Sequence, residues 1–511
     1  MFRGDAIAWT NELPEEKQML DAAVNTFLDT EVLEMYIGGD WEPSRKGETF
    51  AVQDPGNGKH ISSVYAGDDT DVELAVSAAE AAFVAPGWAT LTIQERAKLL
   101  HGLADLIEKN AEILSQIESL DSGKPRAQAA DFDIPFGAQT FRYYADLAIS
   151  TKTRKSLPLT ELQARTVGQP YGPCGFIIPW NFPFLLAIWG IAPALAAGNT
   201  VVIKPAEDTS LSTLYLAKLA EEAGFPPGVI NVVTGFGHTA GAALAGHPRI
   251  KRMAFTGSTA TGRVVARQCG ENLVPVKLEL GGKGAAVVFE DVDVDHVVDS
   301  LCNAIVMNAG QVCCTATRWL VHESIYDRFM SRAVDRLSGL KVGYGADTDT
   351  DIGPVVNVKQ RDRIVGYWEK GLHEGGSAIL AGGAAQVDGH PNGYYVKPSI
   401  MTGETQNICA QEEIFGPAAF AIPFKDEAQA IGIVNESDYG LANSVWTNNT
   451  EKADRVAERL SAGNNWINGH NILVHGVPYG GWNSSGCGGG VLGEDAYLDY
   501  LKNMSIVRNP G

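Results

Sequence analysis

The spacing of apolar and polar positions changes several times along this chain, and each change predicts a different element. A polar opening stretch contains a helical portion over residues 15–27. Met35-Tyr36-Ile37 followed by Gly38-Gly39 then reads as a strand running into a turn. Apolar residues recur at helical spacing over 72–83 and again over 93–120, where Leu99, Leu100, Leu103, Leu106 and Ile107 carry the pattern. From 172 to 282 short apolar runs at 174–178, 200–203, 229–233, 252–255 and 275–279 alternate with helical stretches such as 211–223 and 260–268. Strands of this kind, separated by helices, predict a parallel sheet covered on both faces. Such sheets bind ligands at the carboxyl ends of their strands. A second alternation runs from 285 to about 467, with strands near 285–289, 318–321, 418–422 and 444–446. The polar, threonine-rich stretch 149–168 reads as a hairpin leaving the first unit, and the glycine-crowded 480–490 as loop.

Length and charge narrow this picture. With 511 residues the chain exceeds what one hydrophobic core serves, so two or more domains are expected. Residues 175–203 carry no charge and are long enough for a membrane span. Pro179, Pro183 and Pro193, with Asn181 and Asn199, interrupt them, so a buried strand–loop–helix–strand is the expectation. The first twenty residues mix Arg3, Asp5, Glu12, Glu15 and Glu16 and do not read as a signal peptide. A net charge of −21 argues against nucleic acid or an anionic membrane as partner. Seven scattered cysteines form neither a disulfide framework nor a zinc-ligand spacing, which points to a reducing cytoplasm.

Four clusters carry candidate chemistry. Pro179-Trp180-Asn181-Phe182-Pro183 follows a predicted strand, and its two prolines aim the Asn181 amide, a donor suited to a developing oxyanion or merely to loop backbone. Lys204-Pro205-Ala206-Glu207 also follows a strand and could bind paired hydroxyls or form a solvated loop. Beyond the strand at 252–255, the stretch 255–262 opens a helix whose glycines would let a pyrophosphate approach its N-terminus. Glu279, at the end of an apolar strand, is a candidate general base with a pKa raised by desolvation, or a charge turned outward. In 308–315, Cys313 follows a Gly310-Gln311 turn that could expose a nucleophilic thiol to a cleft. Cys174, Cys269, Cys302, Cys409 and Cys487 are assigned to packing.

Taken together, these segments resemble the aldehyde dehydrogenase superfamily in order and spacing from about Met35 onward. The resemblance rests on 179–183, 204–207, 255–262, 278–283, 310–313, Glu413-Ile414-Phe415-Gly416-Pro417 and Pro478-Tyr479-Gly480-Gly481. It implies an α/β fold of two Rossmann-like domains with a protruding β oligomerisation element. Residues 1–34 would form a leader, 35–148 and 169–281 the NAD-binding domain, 282–483 the catalytic domain, and 149–168 with 484–511 the oligomerisation element. It further implies Cys313 as nucleophile, Glu279 as general base and Asn181 as oxyanion donor. Lys204 and Glu207 match adenosine-ribose contacts, Gly235 and Ser258 adenine and pyrophosphate positions, and Glu413 and Phe415 nicotinamide-ribose and nicotinamide contacts. Ile177, Trp180, Leu280 and Gln360 match further cofactor-lining positions.

The expected reaction is oxidation of an aldehyde to the acid through a Cys313 thiohemiacetal and thioester. NAD is favoured over NADP because Glu207 would repel a 2′-phosphate. Glu279 is the base that CoA-acylating relatives lack, which disfavours CoA transfer. Phe182, Leu186, Trp189, Val312, Leu473 and Tyr479 match the substrate tunnel and suit an apolar or aromatic aldehyde. Betaine aldehyde or an amino aldehyde is the alternative, because aromatic faces attract quaternary ammonium; a CoA-acylating or esterase-like enzyme and a non-catalytic structural member of the fold are the remaining ones. The sequence departs from the family at Gly190, where many relatives carry lysine, at Asn483, and at 486–491, which lacks a common Arg-Glu pair. A homodimer or homotetramer is expected.

Overall fold

The computed structural model describes residues 20–159 and 162–509. Two parallel-rich sheets organise the chain. The first has eight strands in the order Gly486–Cys487, Val276–Glu279, Arg252–Thr256, Pro173–Ile177, Thr200–Lys204, Ile230–Val232, Met35–Ile37 and Asp40–Glu42. Its five central strands are parallel, and antiparallel pairs close both edges. The strand Pro173–Ile177 has Thr200–Lys204 on one side and Arg252–Thr256 on the other. Chain order therefore reverses beside it, opening the crevice where such sheets bind ligands.

The second sheet has seven strands in the order Ser377–Leu380, Ser399–Thr402, Ala418–Phe424, Ala316–His322, Gly284–Val288, Ala442–Trp446 and Asn464–Ile467. Gly284–Val288 and Ala442–Trp446 are buried at every position, the pattern of strands covered on both faces. A smaller antiparallel sheet joins Leu501–Arg508, Gln163–Pro170 and Arg154–Leu157. Leu157, Leu159, Leu162, Met504 and Val507 are exposed along it.

The uncharged stretch becomes the strand Pro173–Ile177, a turn, the helix Pro183–Ala196 and the strand Thr200–Lys204. Among the described residues no helix is long and apolar enough to cross a membrane. The helix expected over 93–120 is two helices, Ile93–Lys109 and Ala111–Ser122. Asn110 ends the first, its side-chain amide donating to the Leu106 carbonyl at 2.8 Å, while apolar spacing continues through the break. The first helix among the described residues spans Ala22–Leu28; residues 1–19 of the proposed leader, including the start of that helix expectation, lie outside the described residues. Within 480–490 the two residues Gly486–Cys487 form an edge strand rather than loop. Cys487 is exposed there, correcting its assignment to packing, whereas Cys174, Cys269, Cys302 and Cys409 are buried.

Candidate active site

Glu279 is the last residue of Val276–Glu279, and Gly284 opens an inner strand of the second sheet. The crossover between them brings the carboxyl ends of the first sheet's strands against segments that precede strands of the second. A cavity of about 240 Å³ lies at this junction. Trp180, Asn181, Ser258, Glu279 and Leu280 line it from the first sheet; Cys313, Gln360, Glu413 and Phe415 line it from the second.

The turn before Cys313 is held in an unusual conformation. Asn308, Ala309 and Gly310 have φ of 48°, 53° and 74°. Two successive non-glycine residues in the left-handed region store roughly 1–3 kcal/mol each and persist only when neighbours determine them. The neighbours are identifiable. The Asn308 backbone N–H donates to Gln128 Oε1 at 3.0 Å, and the Asn308 amide donates to the Asn181 carbonyl at 2.7 Å. The Gln311 amide donates to the Asn308 carbonyl at 2.9 Å, and Gln311 Oε1 accepts the Val356 N–H at 3.0 Å. Asn181 Nδ2 donates to the Gln311 carbonyl at 2.9 Å, so the Asn181 turn and the cysteine turn brace one another. An amide nitrogen carries two donors, and this bond uses one.

The ionisable groups at the junction are displaced from their ordinary values. A hydrogen bond with the adjacent Cys314 thiol, with burial, pushes the Cys313 thiol up; Tyr479 Oη lies 3.8 Å from its sulfur. Burial pushes Glu279 up to about 8, with Lys277 opposing. Among the described residues neither Glu279 oxygen has a hydrogen-bond partner, a state that burial normally penalises. Burial also pushes Glu413 up to about 7, although it accepts the Gly282 N–H at 2.8 Å. A Cβ on Gly281 would overlap that carboxylate. Phe415, at φ 64°, presents its ring edge-on to Trp180 at 5.3 Å, and its carbonyl accepts from Gln360 at 2.7 Å.

The remaining residues singled out in the sequence divide three ways. Ser258 caps the helix Thr259–Glu271, accepting the Thr261 N–H at 3.2 Å, and lines the main cavity. Lys204, Glu207 and Gly235 do not line it. Lys204 ends its strand, buried, with Glu207 at 3.3 Å, and Gly235 (φ 141°) packs against the Gly67 carbonyl. Ile177 lines instead a smaller apolar cavity of about 40 Å³, together with Leu186, Trp189, Tyr479, Glu279 and Cys313. Phe182 and Val312 belong to the adjoining apolar cluster with Trp189 and Tyr479, and Leu473 packs against it.

Sequence reasoning missed several neighbours. Phe132 and Phe136 pack into the same apolar cluster, with Phe136 stacked on His475 at 4.2 Å and tilted on Trp189 at 6.0 Å. Their i, i+4 spacing was the available signal. Arg363 lines the main cavity and donates to the Glu413 carbonyl at 2.7 Å; nothing local marks it.

Comparison with known proteins gives the family. The model of the aldehyde dehydrogenase family matches residues 41–506. An aldehyde dehydrogenase of Emericella nidulans is 46% identical over 479 residues, covering 93% of this chain and 94% of that protein. Retinaldehyde dehydrogenase 3 of Mus musculus is 41% identical over 482 residues, 94% of this chain and 93% of its own. The NAD+ complex of an aldehyde dehydrogenase from Bacillus cereus superposes with a TM-score of 0.94 at 39% identity, covering 96% of this chain and 99% of that one. With its two α/β sheets and a family match spanning most of its length, this chain belongs to the aldehyde dehydrogenase family of enzymes, which oxidise aldehydes.

Proposed function

We propose that the chain oxidises an apolar or aromatic aldehyde to its carboxylic acid with NAD, through a thioester on Cys313 that water hydrolyses. The observation that carries this reading is the convergence of the Cys313 thiol, the unpartnered Glu279 carboxylate and the Asn181 amide on one cavity.

The junction has features that suit a dinucleotide. The N-terminus of the thirteen-residue helix Thr259–Glu271 opens beside Ser258 on the cavity wall, a favourable place for a pyrophosphate. Trp180 and Phe415 offer aromatic faces, and the buried Glu413 carboxylate can accept from ribose hydroxyls. Bound there, NAD supplies the acceptor for the hydride lost from the carbonyl carbon. Lys204 and Glu207 would hold the adenosine ribose, with Gly235 near the adenine and Ile177, Leu280 and Gln360 lining the path. The likeness to an NAD+ complex supports NAD as the cofactor.

The chain's own groups perform the rest. Cys313 releases its thiol proton to solvent, the thiolate sulfur adds to the aldehyde carbon, and the resulting oxyanion is met by Asn181 Nδ2 and the Cys313 N–H. Loss of hydride leaves a thioester. Glu279 takes a proton from water, whose oxygen adds to the acyl carbon, and the thiolate departs as the acid forms. Phe182, Leu186, Trp189, Val312, Leu473 and Tyr479, with Phe132 and Phe136, give the cavity an apolar aromatic flank. That flank supports an apolar aldehyde, as does the likeness to a retinaldehyde dehydrogenase. A betaine or amino aldehyde is the second reading, favoured by the aromatic faces of Trp189 and Tyr479, 5.9 Å apart.

Residues 35–148 and 169–281 would form the NAD-binding domain and 282–483 the catalytic domain. The exposed apolar residues of the small sheet within 149–168 and 484–511 support a symmetric homo-oligomer, dimer or tetramer, and the scattered free cysteines support a reducing cytoplasm.

The test is NADH absorbance with aliphatic, aromatic and betaine aldehydes, without CoA. Turnover of apolar aldehydes is expected; turnover only when CoA is added, or none with any aldehyde, overturns the reading. Cofactor choice has its own check. The Glu207 side chain is 38% exposed, so its charge would meet a 2′-phosphate directly. Glu207→Gln is expected to raise kcat/KM for NADP about tenfold, equivalent to roughly 1.4 kcal/mol of relieved repulsion. An unchanged NADP rate would place the discrimination elsewhere.

A further inference from the structure

Behind Glu279, away from the main cavity, stands a second charge that the mechanism above does not use. Lys277 lies two residues earlier on the strand Val276–Glu279, so the two side chains leave the same face of the sheet. Both line the 40 Å³ cavity, with Cys313, Trp189 and Tyr479. Lys277 is 3% exposed, its ammonium donating to the Gly490 carbonyl at 2.6 Å with Asp499 at 3.7 Å. The helix that covers this cavity has no side chain at Gly190, where a Cβ would meet the Phe176 ring at 2.7 Å. The cation facing Glu279 therefore comes from the strand.

Resting on the proposed role of Glu279, we infer that Lys277 is a positioning residue for the second half of the reaction: its charge keeps the buried Glu279 carboxylate ionised often enough to activate water. A buried carboxylate without hydrogen bonds is held neutral by desolvation. An opposite charge close by acts against that cost, here through an apolar cavity where screening is weak.

Other groups also face Lys277 and set its own state. Asp499 follows the helix Glu494–Leu498 and is partly exposed; Arg252 comes from the neighbouring strand and also approaches Asp499, at 3.5 Å. The Tyr500 ring lies 5.1 Å from the ammonium. Burial and Arg252 push Lys277 down, while Asp499 and Glu279 push it up, leaving it at about 8. Tyr479 and Cys313, both pushed up and so neutral, are further titratable groups near Glu279.

Lys277→Gln keeps a donor for the Gly490 carbonyl and removes the charge, whereas Lys277→Arg keeps the charge. The readout is the pH profile of the steady-state rate after the first-turnover NADH burst, which isolates thioester hydrolysis. The acid limb in Lys277→Gln is expected to move up by roughly one unit or more, slowing hydrolysis about tenfold below it, with the burst rate and kcat/KM unchanged. Lys277→Arg is expected to keep the wild-type limb. Should Lys277→Gln fail to fold, Asp499→Asn removes the counter-ion from the partly exposed side and is expected to move the limb the same way. Unmoved limbs in the folded variants, while Glu279→Gln stalls after one turnover, overturn this inference alone. Normal turnover in Glu279→Gln would instead overturn the role of Glu279 on which it rests.

Discussion

Cys313→Ala is expected to abolish NADH formation from every aldehyde the wild type accepts, lowering kcat by roughly 10⁵-fold, the scale of losing a covalent nucleophile. The size follows from the pathway. Without the sulfur there is no thiohemiacetal to give up hydride, and the Asn181 donor has no oxyanion to meet. Cys314 cannot substitute. It is buried, its sulfur donates to Asn471 Oδ1 at 3.4 Å, and it lies beyond the turn that aims Cys313 at the cavity. The substitution is small and touches neither Glu413 nor Phe415, so NAD binding, followed by fluorescence titration, should survive. Retained turnover in this variant would remove Cys313 as nucleophile and with it the thioester.

The second large effect belongs to Glu279, and it separates the halves of the reaction. Glu279→Gln is expected to release one equivalent of NADH per site and then stall, with the acyl group detectable by mass on the Cys313 peptide. Steady-state turnover should fall by about 10²–10⁴, the range for removing a general base. Glutamine matches the neutral acid in size, and no hydrogen bond to the carboxylate is described that would be lost, so folding should be spared. The sign of the pH dependence follows from the same group. Glu279 must be ionised to accept a proton, and burial has moved its pKa from 4.5 to about 8. Hydrolysis should therefore rise with pH, about tenfold per unit below 8, and level off above. This limb should be missing from Glu279→Gln. A limb that persists there, or a limb near 4.5 in the wild type, would assign the proton to another group.

The central strands of the two sheets were legible because they are short, buried on both faces and built around an apolar run, as in Thr200–Lys204 and Gly284–Val288. Strands at the margin were not. Ser377–Leu380 has only a brief apolar run and is half exposed, and Asn464–Ile467 opens on two asparagines. The break at Asn110 was hidden because one side chain can end a helix without disturbing the apolar spacing around it. The site was legible only in part. Asn181, Glu279, Cys313 and Glu413 are far apart along the chain, and no local pattern says that they share a wall; the resemblance to a family supplied that link. The i, i+4 pair Phe132 and Phe136 is too short a pattern to mark an element by itself, and Lys277 looked like one polar position in an apolar strand.

The edge strand Gly486–Cys487 has a consequence for how the protein is made. It pairs with Leu278 and Glu279, so the strand bearing the candidate base remains a bare edge until Gly486 and Cys487 have been made. Roughly 200 residues separate the partners, which at about 5–20 residues per second is a delay of roughly 10–40 s on the ribosome. During that interval an apolar parallel edge stands open to any other nascent chain. Slowed translation of the second half should therefore raise aggregation and chaperone demand without changing the finished enzyme.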